Sequence, residues 1–360
     1  MRNNLIGKDI IRLQDMTPGE FRYLLDLSHQ LKAEKLAGVD QRRFVGKNVI
    51  AQFEWESTRT RCSFETASHD LGLGFTYLSN SHFGKKETVK DSVRVFSEIY
   101  DAIVIRSQSD DEYLFEIARN ADIPVINAMT GGNHPTQMLA DAMTLEESWG
   151  GPGSLRGKKF AFVGDAAGSA LIYGPMCALV GLDFYVVCPN DPRYQLCDDF
   201  KNQIQEMYDK WAPDSKFVIT HDLNDLEGMD ALATECWLWQ NPEISDAMFQ
   251  DWSNLEYNLE YWVCGADALM PYRLSSELME KYVKNPNCLV LHMLPAYHNG
   301  DMQLMESFLK EAKNEVEREL ITNGFCITDE LFEKHAEEIF REAGNRQPTI
   351  KACLAAVLGL

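Results

Sequence analysis

Several features that would place this 360-residue chain in a special class are missing from it. The nine cysteines form no C-x-x-C pair and no zinc-ligand spacing, and their odd number and scatter indicate reduced thiols. No run of about 18 apolar residues occurs, and the N-terminus lacks the apolar segment of a signal peptide. We therefore expect a cytoplasmic protein with no membrane-spanning segment.

Positive charge is also scarce, because 34 lysines and arginines face 55 aspartates and glutamates, giving a net charge of -21. Such a surface repels nucleic acids and anionic membranes, so neither is expected as a partner. The apolar fraction of 45% is that of an ordinary globular protein. The length exceeds what one core usually supports, which predicts two domains.

The chain alternates predicted strands and helices, which is typical of parallel sheets covered by helices. A first helix is predicted after Thr17, with Pro18 at its first position, and a buried strand follows at residues 48–55. The glycine-rich stretch at 150–160 predicts a domain boundary, and a second strand–turn–helix–strand unit follows it. The fold class predicted is α/β, with two doubly wound domains, and the tail is predicted as helix, turn, helix.

The stretch EWESTRTRCSFETASHDLG, residues 54–72, places two arginines among hydroxyl residues at a predicted strand-to-helix junction. A helix N-terminus carries open N–H groups and the positive end of the helix dipole. Hydroxyls, main-chain donors and a guanidinium can converge there on one phosphate dianion. The sequence therefore predicts a site for a small phosphate.

Three further stretches carry candidate functional residues. In HPTQMLAD, His134 and Gln137 are three residues apart at a predicted helix start, so their side chains can lie on one face of the helix. There they could polarise a carbonyl oxygen of a ligand and hold its amide. In VLHMLPAYHNG, His292 and Leu294 follow an apolar strand, and such strand ends bind ligands in α/β sheets. In EAGNRQPTIKA, Arg346 is predicted to lie in a turn between two helices.

Together and in this order, STRTR, HPTQ, HMLP and NRQPT resemble the aspartate/ornithine carbamoyltransferase family, and its ornithine branch in particular. The resemblance covers nearly the whole chain. It implies transfer of a carbamoyl group from carbamoyl phosphate to the amine of an amino acid, most simply ornithine, with no metal or organic cofactor. It also implies a homotrimer with shared active sites, and domains at 1–150 for carbamoyl phosphate, 151–335 for the acceptor and 336–360 for C-terminal helices that return to the first domain.

The resemblance also assigns individual residues. Arg59, Arg106, His134 and Arg346 are the expected catalytic residues, and a neighbouring subunit is expected to contribute a polar residue, here His82. The residues expected to bind carbamoyl phosphate are Ser57, Thr58, Arg59, Thr60, His82, Arg106, His134, Gln137, Met293, Leu294 and Arg346. The residues expected to bind the acceptor are Asn127, Asp165, Glu235 and Met293.

The acceptor half departs from the pattern of the ornithine branch. Ala166, Ala167 and Gly168 stand where that branch has an Arg-Asn-Asn run, and Glu235 replaces an aspartate. Met293 replaces a cysteine and Gly344 replaces a glutamate. The family's Ser-Met-Gly loop is replaced by Leu238, Trp239 and Gln240, inside a longer aromatic segment at 237–271.

Three interpretations therefore stay open at the level of sequence. The chain is a divergent ornithine carbamoyltransferase, a carbamoyltransferase for another amine such as putrescine, lysine or a modified ornithine, or a non-catalytic relative that binds carbamoyl phosphate. The intact arginines and His134 argue against the last. A dinucleotide-binding protein is disfavoured because VGDAAGSALIYG lacks the G-x-G-x-x-G spacing.

Overall fold

A computed structural model describes residues 5–54, 57–79, 81–237 and 259–360. The chain divides into two compact units. The first comprises Met1–Leu155 and Glu342–Leu360, and the second comprises Arg156–Arg341. The last helix begins in the second unit and ends in the first, so the C-terminal residues complete the first unit.

The first unit is built on a four-stranded parallel sheet with the strand order β2-β1-β3-β4. Its strands are β1 Asn48–Phe53, β2 Gly74–Leu78, β3 Ala102–Arg106 and β4 Val125–Met129. A short 3-10 turn lies at Leu13–Asp15. Its helices are α1 Pro18–Leu36, α2 Thr58–Leu71, α3 Val89–Ile99, α4 Asp111–Asn120 and α5 Pro135–Ser148.

Local sequence explains where these elements begin. The Thr17 hydroxyl accepts a hydrogen bond from the Glu20 main chain, and the Glu20 carboxylate accepts one from the Thr17 main chain, so α1 starts with a complete capping box. The predictions of this helix and of its Thr17 cap are confirmed. Strands β1, β3 and β4 are rich in buried Val, Ile and Ala, as expected where helices cover both faces of a parallel sheet.

The second unit contains a five-stranded parallel sheet with the order β7-β6-β5-β8-β9. Its strands are β5 Lys159–Val163, β6 Asp183–Val187, β7 Phe217–Thr220, β8 Ala231–Thr234 and β9 Leu289–His292. Its helices are α6 Ala170–Val180, α7 Asp198–Trp211, α8 Leu259–Val263, α9 Ala266–Leu269, α10 Ser276–Leu278, α11 Gln303–Glu311, α12 Glu315–Asn323 and α13 Asp329–Lys334. Short 3-10 turns lie at Pro192–Tyr194, Leu223–Leu226 and Met270–Tyr272, and a π-helical turn lies at Met279–Val283.

Strand order fixes where ligands can bind in each unit. Open α/β sheets bind ligands outside the carboxyl ends of the two adjacent strands at which the order reverses. In the first unit those strands are β1 and β3, and in the second they are β5 and β8. The residues after β1, at the end of β3, after β5 and after β8 are therefore placed at ligand-binding edges.

The C-terminal tail differs from its prediction. Instead of helix, turn, helix, it forms one continuous helix, α14, at Ala336–Leu358, with Pro348 inside it. The prediction that Arg346 lies in a turn is therefore wrong. Burial of the helix against the first unit outweighs the local cost of the proline, and the Thr349 hydroxyl donates to the Asn345 carbonyl at 2.8 Å.

The predicted fold class is confirmed, since both sheets are parallel and flanked by helices and the C-terminal helix packs against the first unit. Among the described residues, no helix has both the length and the apolar character needed to cross a bilayer. The nine cysteines, all of which lie in described parts of the chain, are thiols.

Gly324 gives a stability prediction for the second unit. Its φ is +93°, and a Cβ there would lie 2.0 Å from the Ile327 carbonyl oxygen and 2.9 Å from that of His298. We expect Gly324→Ala to lower the free energy of unfolding by about 3 kcal/mol or more, because backbone strain and overpacking add. The midpoint of urea unfolding measures the change.

Gly228→Ala is the matched control, because Gly228 lies in the same unit at φ +73° and a Cβ there meets nothing within 4 Å. Only backbone strain applies, so we expect a loss of about 1 kcal/mol. Equal losses in the two variants would contradict the close packing around Gly324.

Candidate active site

The N-terminus of α2 lies beyond the carboxyl end of β1 in the first unit. Ser57 is the residue before the helix, and its side chain makes no capping hydrogen bond. The Ser57 side chain therefore does not cap the main-chain N–H groups of the first turn. An anion that binds at a helix N-terminus needs such uncapped N–H groups as donors. Thr58 and Arg59 are exposed, whereas Thr60 is buried. Residues 55 and 56 lie outside the described residues.

Arg346 connects three elements of the first unit. From α14 its Nη1 donates to Gln137 Oε1 on α5 at 2.6 Å, and its Nη2 donates to Thr60 Oγ1 on α2 at 3.0 Å. Nη2 also lies 3.4 Å from Thr136 Oγ1. Arg346 is only 4% exposed, so these bonds stabilise a guanidinium that is almost completely removed from water. Three of the predicted site residues are thus brought together.

Two buried carboxylates that the sequence analysis did not assign orient Gln137. The Gln137 Nε2 donates to Asp141 Oδ1 and to Glu342 Oε1, each at 2.7 Å. Both amide hydrogens are used, so the Gln137 carbonyl oxygen must face Arg346. The i to i+4 spacing of Gln137 and Asp141 on one helix face could have revealed the first carboxylate. Glu342 is 205 residues away from Gln137 and gave no local signal.

His134 is the residue that precedes α5 and is buried. Burial lowers its pKa well below the usual value, and the positive charges of Arg346 and Arg106 lower it further. The imidazole is therefore neutral at neutral pH. Its Nδ1 lies 3.5 Å from the Thr136 hydroxyl. A neutral imidazole can donate one hydrogen bond to a carbonyl oxygen without adding charge.

Arg106 ends β3, next to β1 at the point where the strand order reverses. Burial, followed by the charge of Arg59, lowers its pKa to about 10. Burial and then the charge of Arg106 lower the pKa of Arg346 to about 9. The buried Nε atoms of Arg106 and Arg346 make no hydrogen bond within the described residues. Positive groups are thus held close together although they repel one another, as in a site that binds an anion.

A cavity of about 1010 Å³ opens beside the start of α2 and is lined by Glu54, Ser57, Thr58 and Arg61 among others. The Arg61 guanidinium lies 3.9 Å from the centre of the Tyr77 ring and packs on its face. The second arginine of STRTR therefore faces this cavity, unlike Thr60, which faces Arg346. His82, assigned to a neighbouring subunit's site, is exposed on its own chain.

Asn127 on β4 is completely buried and is used within the first unit. Its Nδ2 donates to the Ile11 carbonyl at 2.7 Å, and its Oδ1 accepts from the Met129 main chain at 2.8 Å. These bonds fix the strand end and the turn that leads to α5. Contact of Asn127 with an acceptor stays a prediction.

In the second unit, Asp165 and Glu235 follow β5 and β8 at the edge where the strand order reverses. Asp165 is 3% exposed, and its Oδ1 accepts from the Ala167 main chain at 3.1 Å. Burial raises the pKa of Asp165 well above its usual value, and the charge of Glu235 raises it further. Asp165 Oδ2 makes no hydrogen bond in the part of the chain that the structure describes. This edge therefore favours a cation.

Two aromatic side chains near this edge were not assigned from the sequence. A Cβ on Gly164 would lie 3.3 Å from the Trp237 indole nitrogen, so the missing side chain lets the indole approach the end of β5. The Tyr194 main-chain oxygen accepts from the Ala166 main chain at 3.1 Å. The Trp237 Nε1 and the Tyr194 hydroxyl are buried and form no hydrogen bond with described residues. No sequence pattern identified this pair.

The turn after β9 holds the remaining predicted residues. His292 ends the strand and is completely buried, Met293 is buried and Leu294 is half-buried. Leu238, Trp239 and Gln240 lie outside the described residues, as does the rest of 238–258. The described remainder of the 237–271 segment, from 259, forms α8, α9 and the start of the turn at Met270–Tyr272.

Comparisons with known proteins agree with this arrangement. The family model of the aspartate/ornithine carbamoyltransferase carbamoyl-P binding domain matches residues 8–147, and that of the Asp/Orn binding domain matches residues 156–357. An ornithine carbamoyltransferase of Limosilactobacillus reuteri is 37% identical over 100% of this chain and 99% of its own. A catabolic ornithine carbamoyltransferase of Clostridium perfringens is 35% identical over 100% of both chains.

A solved structure of ornithine carbamoyltransferase from Pyrococcus furiosus is 26% identical and matches with a TM-score of 0.79, covering 99% of this chain and 98% of that one. Both family models, the full-length relatives and the similar fold point to the same group of proteins. The chain belongs to the aspartate/ornithine carbamoyltransferase family.

Proposed function

We propose that this protein transfers the carbamoyl group of carbamoyl phosphate to the side-chain amine of L-ornithine, giving L-citrulline and phosphate. The family membership and the names of the full-length relatives support this reaction. The observation that carries it is the group of mutually repelling arginines in the first unit. Besides burial, the charge of Arg59 lowers the pKa of Arg106, and the charges of Arg106 and Arg59 lower that of Arg346; a phosphate dianion would relieve this repulsion.

The chemistry requires only groups that the first unit supplies. The uncharged amine nitrogen attacks the carbamoyl carbon, a C–N bond forms, and the C–O bond to the departing phosphate breaks. The proton lost by the nitrogen passes to the released phosphate. Negative charge grows on the carbonyl oxygen and on the phosphate, where neutral His134 can donate a hydrogen bond and the arginines can stabilise the charge.

Asp165 and Glu235 are assigned to the acceptor. Ornithine carries an ammonium group that does not react, and a carboxylate pair at a ligand-binding edge would bind it. The buried Oδ2 of Asp165, with no hydrogen bond to the described residues, supports this assignment. Met293 and Leu294 are assigned to substrate contact in the turn that follows β9. No residue of 238–258 is assigned a role.

The assignment extends to the domains and the assembly. We assign carbamoyl phosphate to the domain at 1–150, the acceptor to that at 151–335, and packing on the first domain to 336–360. We further propose a homotrimer in which His82 contributes to a neighbouring site, which sedimentation velocity would test. Reduced thiols at all nine cysteine positions support a cytoplasmic location.

Diamines are a second possible class of acceptor, because of the residues that follow β5. Ala166, Ala167 and Gly168 offer no polar side chain after β5, where the ornithine branch has amides for the amino-acid carboxylate. A diamine such as putrescine, which has no carboxylate, needs no such amides.

A panel of amines tests which acceptor the protein uses. With carbamoyl phosphate at saturation, we expect ureido product from ornithine, and from putrescine, lysine and N-acetylornithine only at lower kcat/KM. Colorimetric detection of the ureido group measures each rate, and aspartate serves as the negative control. Turnover with putrescine above that with ornithine would support the second class, and turnover with none would overturn the proposed function.

Arg59→Ala tests the phosphate cradle. Because Arg59 is expected to stabilise charge on the departing phosphate, we predict a loss of about 100- to 1,000-fold in kcat. The matched control is Arg119→Ala, since Arg119 is an exposed arginine of the first unit paired with Glu112 at 2.7 Å. The cradle assignment fails if Arg59→Ala keeps most of the activity while the control behaves like the wild type.

Glu235→Gln tests the acceptor edge. Removing the charge while keeping the shape should raise the KM for ornithine by about tenfold or more, because a charged hydrogen bond is lost, and should leave the KM for carbamoyl phosphate unchanged. Glu227→Gln, the same change at an exposed residue of the same unit, is the control. A rise confined to the KM for carbamoyl phosphate would contradict the assignment.

A further inference from the structure

A buried histidine–thiol pair lies directly behind the turn that follows β9. His292 Nε2 and Cys326 Sγ are 3.1 Å apart, and both residues are 0% exposed. The two residues are 34 positions apart in the chain, and neither the sequence patterns nor the proposed reaction assigns a role to Cys326. The proposed reaction therefore does not account for this specific contact.

The protonation of this pair follows from its partners. Burial lowers the pKa of His292 to about 4 and raises that of Cys326 to about 12, so both are neutral at neutral pH. His292 Nδ1 lies 2.7 Å from the Met293 carbonyl oxygen, which can only accept, so Nδ1 carries the imidazole proton. Nε2 must then accept, and the thiol S–H of Cys326 donates to it.

This assignment produces a chain of hydrogen bonds from Cys326 through the imidazole to the Met293 carbonyl. Without the thiol donor, Nε2 would be a buried acceptor with no partner. The imidazole could lessen that cost by moving its proton from Nδ1 to Nε2, but the Met293 carbonyl would then lose its donor. The thiol therefore favours the tautomer in which Nδ1 donates, and with it the hydrogen bond that orients the Met293 carbonyl.

The segment that carries Cys326 is itself held firmly. The Cys326 carbonyl accepts from the Leu274 main chain at 2.9 Å, and the Phe325 main chain donates to the Tyr297 carbonyl at 3.2 Å. Farther along the same turn, the His298 Nδ1 lies 2.6 Å from Asp329 Oδ1. The turn is thus tied to the Cys326 segment at several points, of which the thiol is the one nearest the proposed substrate contacts.

A nucleophilic role for the thiol does not fit this geometry. The thiolate is the reactive form of cysteine, and burial of Cys326 disfavours it. His292 Nε2 faces the thiol, but burial lowers the pKa of His292 to about 4 and so disfavours the imidazolium that would form if it took the thiol proton. What the pair can do is hold the backbone.

We propose that Cys326, acting through His292, is a positioning residue that holds the Met293–Leu294 turn in the conformation that contacts the substrates. The inference rests on the proposed function, because the assignment of Met293 and Leu294 to substrate contact belongs to it. The inference adds Cys326, a residue that touches no substrate, to the proposed function. It also requires a hydrogen-bond donor to His292 Nε2 at this position.

A double-mutant cycle tests this requirement. Cys326→Ala should lower kcat/KM for ornithine by about tenfold at saturating carbamoyl phosphate, because a buried acceptor loses its donor. His292→Asn keeps a donor for the Met293 carbonyl and removes Nε2. In that background Cys326→Ala should change kcat/KM by less than about twofold, because the group through which the thiol acts is gone.

Two further variants separate hydrogen bonding from volume. Cys326→Ser keeps a donor, so we expect it to restore kcat/KM to within about threefold of the wild type. Cys288→Ala is the matched control, since Cys288 is a buried thiol of the same unit that donates to the Leu289 carbonyl at 3.5 Å. We expect the control to change kcat/KM by less than about twofold.

Amide hydrogen exchange of peptides that cover residues 293–299 gives a readout that does not need activity. Cys326→Ala should speed this exchange, whereas Cys326→Ser and Cys288→Ala should not. Equal loss in the wild-type and His292→Asn backgrounds, or a serine variant as impaired as the alanine variant, would overturn the proposal. Wild-type protein that carbamoylates no acceptor would overturn the proposed function instead, and the exchange experiment would still decide whether the thiol holds the turn.

Discussion

The hydrogen bonds that hold Arg346 are the interactions on which the proposed site of the first unit depends. A guanidinium removed from water is costly unless its donors are paired. Gln137 and Thr60 pair two of its nitrogens, and the charges of Asp141 and Glu342 favour its protonated form. With a pKa of about 9, Arg346 keeps its positive charge at neutral pH. The cost of assembling cations before the substrate arrives is thus offset by neutral acceptors, the Gln137 and Thr60 side-chain oxygens, and by nearby carboxylates.

This arrangement makes the C-terminal helix part of the proposed site. Arg346 reaches α2 and α5 only because α14 runs unbroken past Pro348, and further contacts hold the helix there. The buried Lys351 Nζ lies 2.6 Å from Asp70 Oδ2 on α2 and donates to Gln41 at the same distance. Asn345 donates to Thr144 on α5 at 2.9 Å. Packing of α14 therefore sets the position of the guanidinium.

The sequence predicted the features that depend on local residue patterns and on the alternation of strands and helices. It failed where side chains that are distant in the chain meet. STRTR and HPTQ are short motifs at helix starts. Arg106 and Asp165 were assigned from the family resemblance, and the structure places Arg106 at the end of β3 and Asp165 just after β5. Arg346 was placed in a turn because proline favours a helix break locally, and tertiary burial overrides that preference. Glu342, Tyr194 and Trp237 escaped prediction because each acquires its neighbours only through the folded chain.

The proposed sites of the two units carry side chains of opposite charge, arginines in the first and carboxylates in the second. This difference explains how an acidic protein can bind an anion. In the first unit, burial of Arg106 and Arg346 removes the water that would screen them, so a dianion meets concentrated positive charge despite the net charge of -21. In the second unit, burial of Asp165 beside Glu235 does the reverse and favours an ammonium group. In both units burial and a neighbouring like charge shift the pKa values against the charged forms, and a substrate group of opposite charge would favour those forms again. The Cys326–His292 pair is neutral and belongs to neither set, so it can fix the turn beside the acceptor edge without disturbing that balance.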